Sequence, residues 1–453
     1  MNIIIVGDGK VGRALTEQLS REGHNLTVID SDVSALEKSL ELYDVMVLEG
    51  NGASLMVLRE ARADTADLFI SATSSDEVNM LACIMAKKMG AKNTIARIRN
   101  PEYAEQVSLL QDELGFSMSI NPELSTAKEI YNILQFPSFL HRDSIVKGKA
   151  EIVELKISEG SKLCGLPLRK LYRILSVKVL ICAVERDSKA FIPGGDFVLC
   201  AGDKIHVTAE SRKLAKVIHD FGLKPDKVKN TIIIGGSRIA YHLSKMLTAS
   251  GIAVKIIEKN SKRCMELAAQ LPEVMVIEGD GSNQRLLLQE GIENADAVVT
   301  LTSMDEENVF LSLYASHMGV LHVLTKVNQT EYADIVETVG IESVVSPRWI
   351  CATEVAEYVR AMANAGDSSV VAMHELVDGK VQALEFRAGA GTKYLETELS
   401  EMPIKKNVLI VCIYRKGKAM IPDGKTRIKK GDNVVIVAAG REVFVDLNEI
   451  FTR

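Results

Sequence analysis

Gly7, Gly9 and Gly12, in the run Ile3-Ile4-Ile5-Val6-Gly7-Asp8-Gly9-Lys10-Val11-Gly12, have the spacing of a loop that cradles a phosphate. Gly7 makes the tight turn, Gly9 leaves the backbone open to a pyrophosphate, and Gly12 lets a helix pack closely on a strand. The acid that such a site places about 20 residues further on is Asp30, at the end of Leu26-Thr27-Val28-Ile29-Asp30. A carboxylate there accepts hydrogen bonds from both ribose hydroxyls and repels a 2′-phosphate. The free N–H groups and partial positive charge of the helix N-terminus complete the phosphate site. The same residues also admit a plainer reading, a tight βα turn that has lost its ligand.

The elements that must position these groups follow in order. A strand ends at Gly7, and a helix carries Val11, Leu15 and Leu19 on one face until Gly23 stops it. After Asp30 the pattern predicts a helix over 33–42, a strand over 45–48, a short helix near 53–60 and a strand over 68–72. A helix over 76–89, a strand over 94–98, a helix over 102–114 and a short strand to Ile120 complete the run. Strands alternating with helices of this length mean a doubly wound parallel sheet, a Rossmann-like α/β domain. Asn121-Pro122 then opens a helix to about 135 that leads out of the sheet. It reads either as a dimerisation or crossover element or as local packing. Beyond 150 the pattern changes to a small α+β module with strands over 152–157, 177–184, 190–192, 196–199 and 204–209 and a helix over 166–171.

The chain is written twice, with an offset of about 229 residues. Ile232-Ile233-Ile234-Gly235-Gly236-Ser237-Arg238-Ile239-Ala240 repeats the glycine loop, and Glu258 stands where Asp30 stood. Thr73-Ser74-Ser75-Asp76-Glu77-Val78-Asn79 returns as Thr302-Ser303-Met304-Asp305-Glu306-Glu307-Asn308, Arg97 as Lys326, and Glu102-Tyr103 as Glu331-Tyr332. Gly202-Asp203 returns as Gly431-Asp432, so the duplicated unit already had two parts. The expected boundaries are nucleotide domains at 1–120 and 228–345, crossover helices with linkers at 121–149 and 346–367, and small C-terminal modules at 150–222 and 368–453. Lys224-Pro225-Asp226-Lys227 and Gly366-Asp367-Ser368-Ser369 read as linkers.

A net charge of −6 with both signs dispersed gives no basic arm for nucleic acid. A strand starting at residue 2 leaves no room for a signal peptide, and no apolar run approaches the roughly 18 residues of a membrane span. The reading places the chain in the cytosol, with any membrane connection made through a partner. The seven cysteines form no Cys-x-x-Cys pair and the eight histidines no helical pair, so no metal is expected.

Ligands of open parallel sheets sit at the carboxyl ends of the strands. In the first half those ends offer Gly7 to Gly12, Asp30, Asn51, Thr73, Ser74 and Arg97. Asn51 and the Thr73-Ser74 pair serve equally well as loop caps. In the second half Ser237 replaces the middle glycine, Ala240 the last, and Lys326 keeps a charge without the planar fork of arginine. A dehydrogenase would need an acid–base residue aimed at the nicotinamide. His206, His219 and His374 have no counterparts in the other copy, and no Gly-x-Ser-x-Gly or Walker lysine occurs. An NAD-dependent oxidoreductase and a scaffold with vestigial sites remain as alternatives.

These motifs, together with Ala96-Arg97-Ile98 and the breaks at Asn121-Pro122 and Ser346-Pro347, resemble the TrkA family of Trk-system potassium uptake regulators over essentially the whole chain. The resemblance implies two RCK-N (KTN) nucleotide domains, each followed by a small RCK-C (TrkA-C) domain, in a cytoplasmic gating subunit that is not an enzyme. It implies a homo-oligomer, a tetramer forming a ring of eight RCK units. That ring would lie at the inner face of the membrane beneath a potassium transporter of the TrkH/TrkG type. Family members bind NAD(H), and some bind ATP or ADP. Carried over by position, the first site comprises Gly7, Asp8, Gly9, Lys10, Val11, Gly12, Asp30, Asn51, Thr73, Ser74 and Arg97. The second comprises Gly235, Gly236, Ser237, Arg238, Ile239, Glu258, Asp280, Thr302, Ser303 and Lys326, with Ser237 and Ala240 as departures from the pattern.

Overall fold

The computed structural model describes the chain except for residues 101, 104–105, 108–114, 138, 140, 147, 160, 188, 222–226, 329–342, 365–369, 378–379, 441–443, 445 and 453. Most of the expected helix over 102–114, Glu331-Tyr332, Lys224-Pro225-Asp226 and the segment Gly366 to Ser369 lie outside the described residues. The rest forms two compact units: Met1–Leu134 with Val228–Ala356, and Gln135–Lys227 with Glu357–Arg453.

The first unit holds two six-stranded sheets. One runs β3-β2-β1-β4-β5-β6, built from β1 (Asn2–Val6), β2 (Asn25–Asp30), β3 (Met46–Glu49), β4 (Leu68–Ser71), β5 (Asn93–Arg97) and β6 (Met118–Ile120). Its pairings are parallel, with Val6 opposite Ile29 on one side and Ser71 on the other. Ile3, Ile4, Ile5 and Val6 are all buried, as a strand covered on both faces requires. The helix Lys10–Arg21 returns over the sheet and buries Val11, Leu15 and Leu19. The second sheet repeats the order as β14-β13-β12-β15-β16-β17, from β12 (Asn230–Ile234), β13 (Ala253–Glu258), β14 (Met275–Glu278), β15 (Ala297–Thr300), β16 (His322–Lys326) and β17 (Ser343–Val345). These are the two Rossmann-like sheets the alternation of elements predicts. In each, the first strand lies where the chain order reverses, so its glycine loop opens onto the crevice that binds ligands in such sheets.

The helix that leaves the first sheet, Pro122–Gln135, begins where Asn121 Oδ1 accepts from the Leu124 N–H at 2.9 Å. Its apolar face crosses onto the second copy, where Ala127, Ile130 and Leu134 join one core with Ile239, Leu243 and Leu247. Its apolar residues thus pack on the second copy. Fully burying an isoleucine and a leucine contributes about 1.5–3 kcal/mol each. The helix of the second copy, Pro347–Asn364, buries Cys351, Ala352 and Val355, and its Glu354 accepts from Ser125 Oγ at 2.9 Å.

The second unit holds two five-stranded sheets, β10-β9-β11-β8-β7 and β18-β19-β22-β20-β21. The first comprises β7 (His141–Ile145), β8 (Ala150–Lys156), β9 (Leu180–Arg186), β10 (Lys189–Phe191) and β11 (Lys204–Glu210). The other comprises β18 (Val370–Leu376), β19 (Val381–Arg387), β20 (Val408–Arg415), β21 (Lys418–Met420) and β22 (Asn433–Ala439). Their pairings are antiparallel. Ile152, Cys182 and Ala183 of one share a core with Val381, Cys412 and Val437 of the other. The recurring Gly-Asp pair is a brace: Asp203 and Asp432 accept from Arg186 Nε and Arg415 Nε at 2.7 and 2.8 Å.

Three local expectations change. β7 falls in the segment read as a linker, because His141-Arg142-Asp143-Ser144 lacks apolar alternation. It is an edge strand held by its pairing with β8 and by Arg142 Nε donating to Glu151 at 2.8 Å. The strand read at 196–199 reduces to a bridge between Val198 and Pro167, since Asp196 and Phe197 belong to a turn in which the Phe197 N–H meets the Gly194 carbonyl at 3.0 Å. A helix at Leu214–Asp220, with Leu214 and Val217 buried, was not expected.

Candidate nucleotide site

In the first loop Gly7 has φ +94°, and a Cβ there would lie 2.9 Å from the Thr73 nitrogen. A Cβ on Gly12 would stand 1.7 Å from the Gly7 carbonyl oxygen, so helix and turn touch backbone to backbone. A Cβ on Gly9 would meet nothing within 4 Å. That face is open, as an approaching pyrophosphate requires. Asp30 borders it, with Oδ2 accepting from the Asp8 N–H at 2.5 Å and Oδ1 from the Asp32 N–H at 2.9 Å. Two backbone donors thus orient the carboxylate and leave lone pairs for a diol.

Asp8 itself is fully buried beneath the loop. Its Oδ2 accepts from Ser39 Oγ at 2.7 Å, and its Oδ1 has no hydrogen-bond partner. Burial pushes its acid above the usual aspartate range, against the opposing effect of the Ser39 hydrogen bond. Val11 is buried, so only its backbone belongs to a site, whereas Lys10 and Ser74 are exposed.

The loops after β3 and β4 are braced by their own side chains. Asn51 Oδ1 caps the Ala53 N–H at 2.9 Å, and Ser75 Oγ caps Val78 N–H at 3.2 Å. Thr73 is bound through its N–H and hydroxyl to Asn79 Oδ1 at 2.8 and 2.7 Å. Asn79 Nδ2 donates on to the Arg97 carbonyl at 2.9 Å, and Asp76 accepts from the Arg99 and Asn100 N–H groups, both at 2.8 Å. Asp76 and Asn79 therefore staple two strand ends together, a role the sequence reading did not assign. Its signal was present: Asp305 and Asn308 recur at the same spacing and make the same bonds to Asn328, Thr302 and Lys326.

Arg97 ends β5 with its side chain only 15% exposed and its guanidinium 3.5 Å from Glu123, in the first turn of the crossover helix. Burial lowers its pKa and the Glu123 charge opposes that. The cation read as a phosphate ligand is thus paired with a carboxylate.

The second copy carries a cleft of about 590 Å³. Gly235, Gly236, Ser237, Arg238, Glu258, Asp280, Thr302, Ser303 and Lys326 all line it, while Ile239 is buried in the core. Glu258 repeats the Asp30 geometry, accepting from the Gly236 and Asn260 N–H groups at 2.6 and 2.7 Å. Ser237 Oγ accepts from the Ala240 N–H at 3.3 Å, which commits the extra hydroxyl to capping the helix. Asp280 caps the Ser282 N–H at 2.9 Å. Lys326 donates to the Thr302 carbonyl, and burial holds its pKa below the ordinary lysine value despite nearby Asp305. The cleft also takes in charged residues that were not foreseen, Lys259, Arg263 and Glu307. Arg263 Nε donates to the Gly236 carbonyl at 2.7 Å. Its first-copy counterpart is Ala35, so the repeat carried no signal there.

Among the described residues no helix is long and apolar enough to cross a membrane. The TrkA-N domain model matches residues 3–122 and 231–347, and the TrkA-C domain model matches 152–222 and 383–443. A Trk system potassium uptake protein TrkA homolog of Archaeoglobus fulgidus is 33% identical over 100% of both chains. The Trk system potassium uptake protein TrkA of Halomonas elongata is 31% identical over 100% of this chain and 98% of its own. Among solved structures, the GsuK channel bound to NAD superposes with a TM-score of 0.64 at 18% identity, over 97% of this chain and 76% of that one, which shows a shared fold. With two nucleotide-type sheets, two small antiparallel modules and full-length similarity to these proteins, the chain belongs to the TrkA family of Trk-system potassium uptake proteins.

Proposed function

We propose that this chain is a cytoplasmic regulatory subunit of a Trk-type potassium uptake system, not an enzyme, and that it binds NAD(H) or an adenine nucleotide in each copy. The observation that carries the reading is the pair of glycine loops, each bordered by a carboxylate held on two backbone N–H groups. The first site is built by Gly7 to Gly12, Asp30, Asn51, Thr73, Ser74 and Arg97. The second is built by Gly235 to Ile239, Glu258, Asp280, Thr302, Ser303 and Lys326. Asp30 and Glu258 favour a free ribose diol, hence NAD over NADP. The names of the relatives support a potassium transporter as the partner. The TrkA-N and TrkA-C matches support the division into nucleotide and C-terminal modules, with boundaries near 1–120, 150–222, 228–345 and 368–453. The ring of eight units, built by four chains at the inner face of the membrane, belongs to the same proposal.

Binding acts by population shift. A nucleotide that prefers one arrangement of the ring biases the transporter by that difference in affinity. The crossover helices supply a route, because Arg97 of the first site is paired with Glu123 of the helix that packs into the second copy. The test is calorimetric titration of the purified protein with NAD⁺, NADH, ATP and ADP, with cofactor consumption followed in parallel. Binding without turnover, with loss of nucleotide control of transport in Arg97→Ala, is the expected result. Steady oxidation of NADH would return the oxidoreductase, and no binding of any of the four would leave a scaffold.

A further inference from the structure

Arg263 stands on the first turn of the helix Ser261–Gln270, directly after the strand that ends in Glu258, and lines the same cleft as that acid. Two contacts fix it: Nε donates to the Gly236 carbonyl of the glycine loop at 2.7 Å, and Nη1 meets Glu266 at 3.0 Å. Its side chain is 27% exposed, so a flat cation is held at the wall of the cleft with part of its surface open. In sheets of this kind the acid at the end of the second strand marks the ribose. A base carried on that ribose must lie in the same cleft, whose wall Arg263 forms five residues after Glu258. A planar guanidinium stacks on an aromatic ring and gains a cation–π term that an ammonium shares only in part.

We propose that Arg263 is the base platform of the second site, stacking on the purine of a bound adenine nucleotide and setting the preference of that site. This rests on the reading of the second cleft as a nucleotide site. The first copy has Ala35 at the equivalent position and ties its loop to the following helix through Asp8 and Ser39 instead. The second site therefore draws a larger share of its affinity from the base, and a mononucleotide suffices. The first depends on its open glycine loop and a pyrophosphate. Ser237 supports the division, since a side chain stands where Gly9 leaves free space.

The experiment is titration of the full-length protein with AMP and NAD⁺, in an Asp30→Ala background that weakens the first site. Arg263→Ala is expected to weaken AMP binding about tenfold. Arg263→Tyr, which keeps a stacking face but loses the bond to Gly236, is expected to stay within about threefold of the parent, whereas Arg263→Lys does not recover it. A spectral and thermal check confirms that each variant is folded. Unchanged affinity in Arg263→Ala, or rescue by lysine and not by tyrosine, overturns the stacking role and leaves the nucleotide reading standing. Failure of both AMP and NAD⁺ to bind the second cleft of the parent overturns the nucleotide reading and this inference with it.

Discussion

The two glycine loops reach the same backbone turn by different chemistry. In the first, Gly12 packs against the Gly7 carbonyl with no space for a methyl, while Ala240 stands in that position in the second. Beneath the first loop lies a buried carboxylate, Asp8, bound to Ser39; beside the second lies a guanidinium, Arg263, bound to the Gly236 carbonyl. At the strand ends, Arg97 faces Glu123, whereas Lys326 has Arg348 at the corresponding helix position. Asp30 and Glu258 are alike in type and in bonding, as are the Asp76–Asn79 and Asp305–Asn308 staples. Duplication therefore preserved the turn and the acid and let the surrounding charge diverge, which is how one fold comes to offer two sites of different electrostatic character.

The sharpest break of this comparison is at the last glycine. Gly12→Val is expected to cost 4 kcal/mol or more on the order of the most damaging core changes, because a side chain cannot occupy the Gly7 carbonyl. The reverse change, Ala240→Gly, should cost about 1 kcal/mol of helix propensity. Chemical denaturation of both variants measures the difference, and equal effects would mean the two turns are equivalent after all. Next, Ile130→Ala is expected to lose about 2–5 kcal/mol. Hydrogen exchange should find the lost protection in β12–β17 of the second copy, although Ile130 follows the first.

Asp30→Ala and Glu258→Ala are each expected to lower nucleotide affinity about tenfold at their own site and to leave the other site unchanged. Calorimetric stoichiometry separates the two. A single variant that emptied both sites would show them to be one. The smallest effect is a pH dependence. The folded-state pKa of Asp8 lies above its ordinary 3.8 because burial disfavours the charged form. Its contribution to stability is fully present below pH 3.8 and is lost as pH rises through the elevated value. Asp8→Asn should therefore flatten the stability profile above pH 3.8, whereas the second loop, with Gly236 in that place, has no such titration to remove.

Local rules made much of this architecture legible. Gly7 and Gly12 could be read because a turn with positive φ and a close helix-to-turn approach each demand glycine at one spacing, and Asp30 because it closes the second strand. The parallel sheets followed from apolar runs such as Ile3 to Val6, and the duplication from matched motifs along the chain. The tertiary structure decided what depends on neighbours far away in sequence. Asn79 holds Thr73 and reaches the Arg97 carbonyl on the next strand, a staple that no local pattern announces. Arg97 faces Glu123, which only the path of the crossover helix brings near. β7 is a strand because β8 pairs with it, not because of its own polar residues. Arg263 became visible only when the helix after β13 placed it against the Gly236 carbonyl. Periodicity and backbone conformation are written in adjacent residues, whereas pairing of charges and the lining of a cleft depend on where distant segments meet.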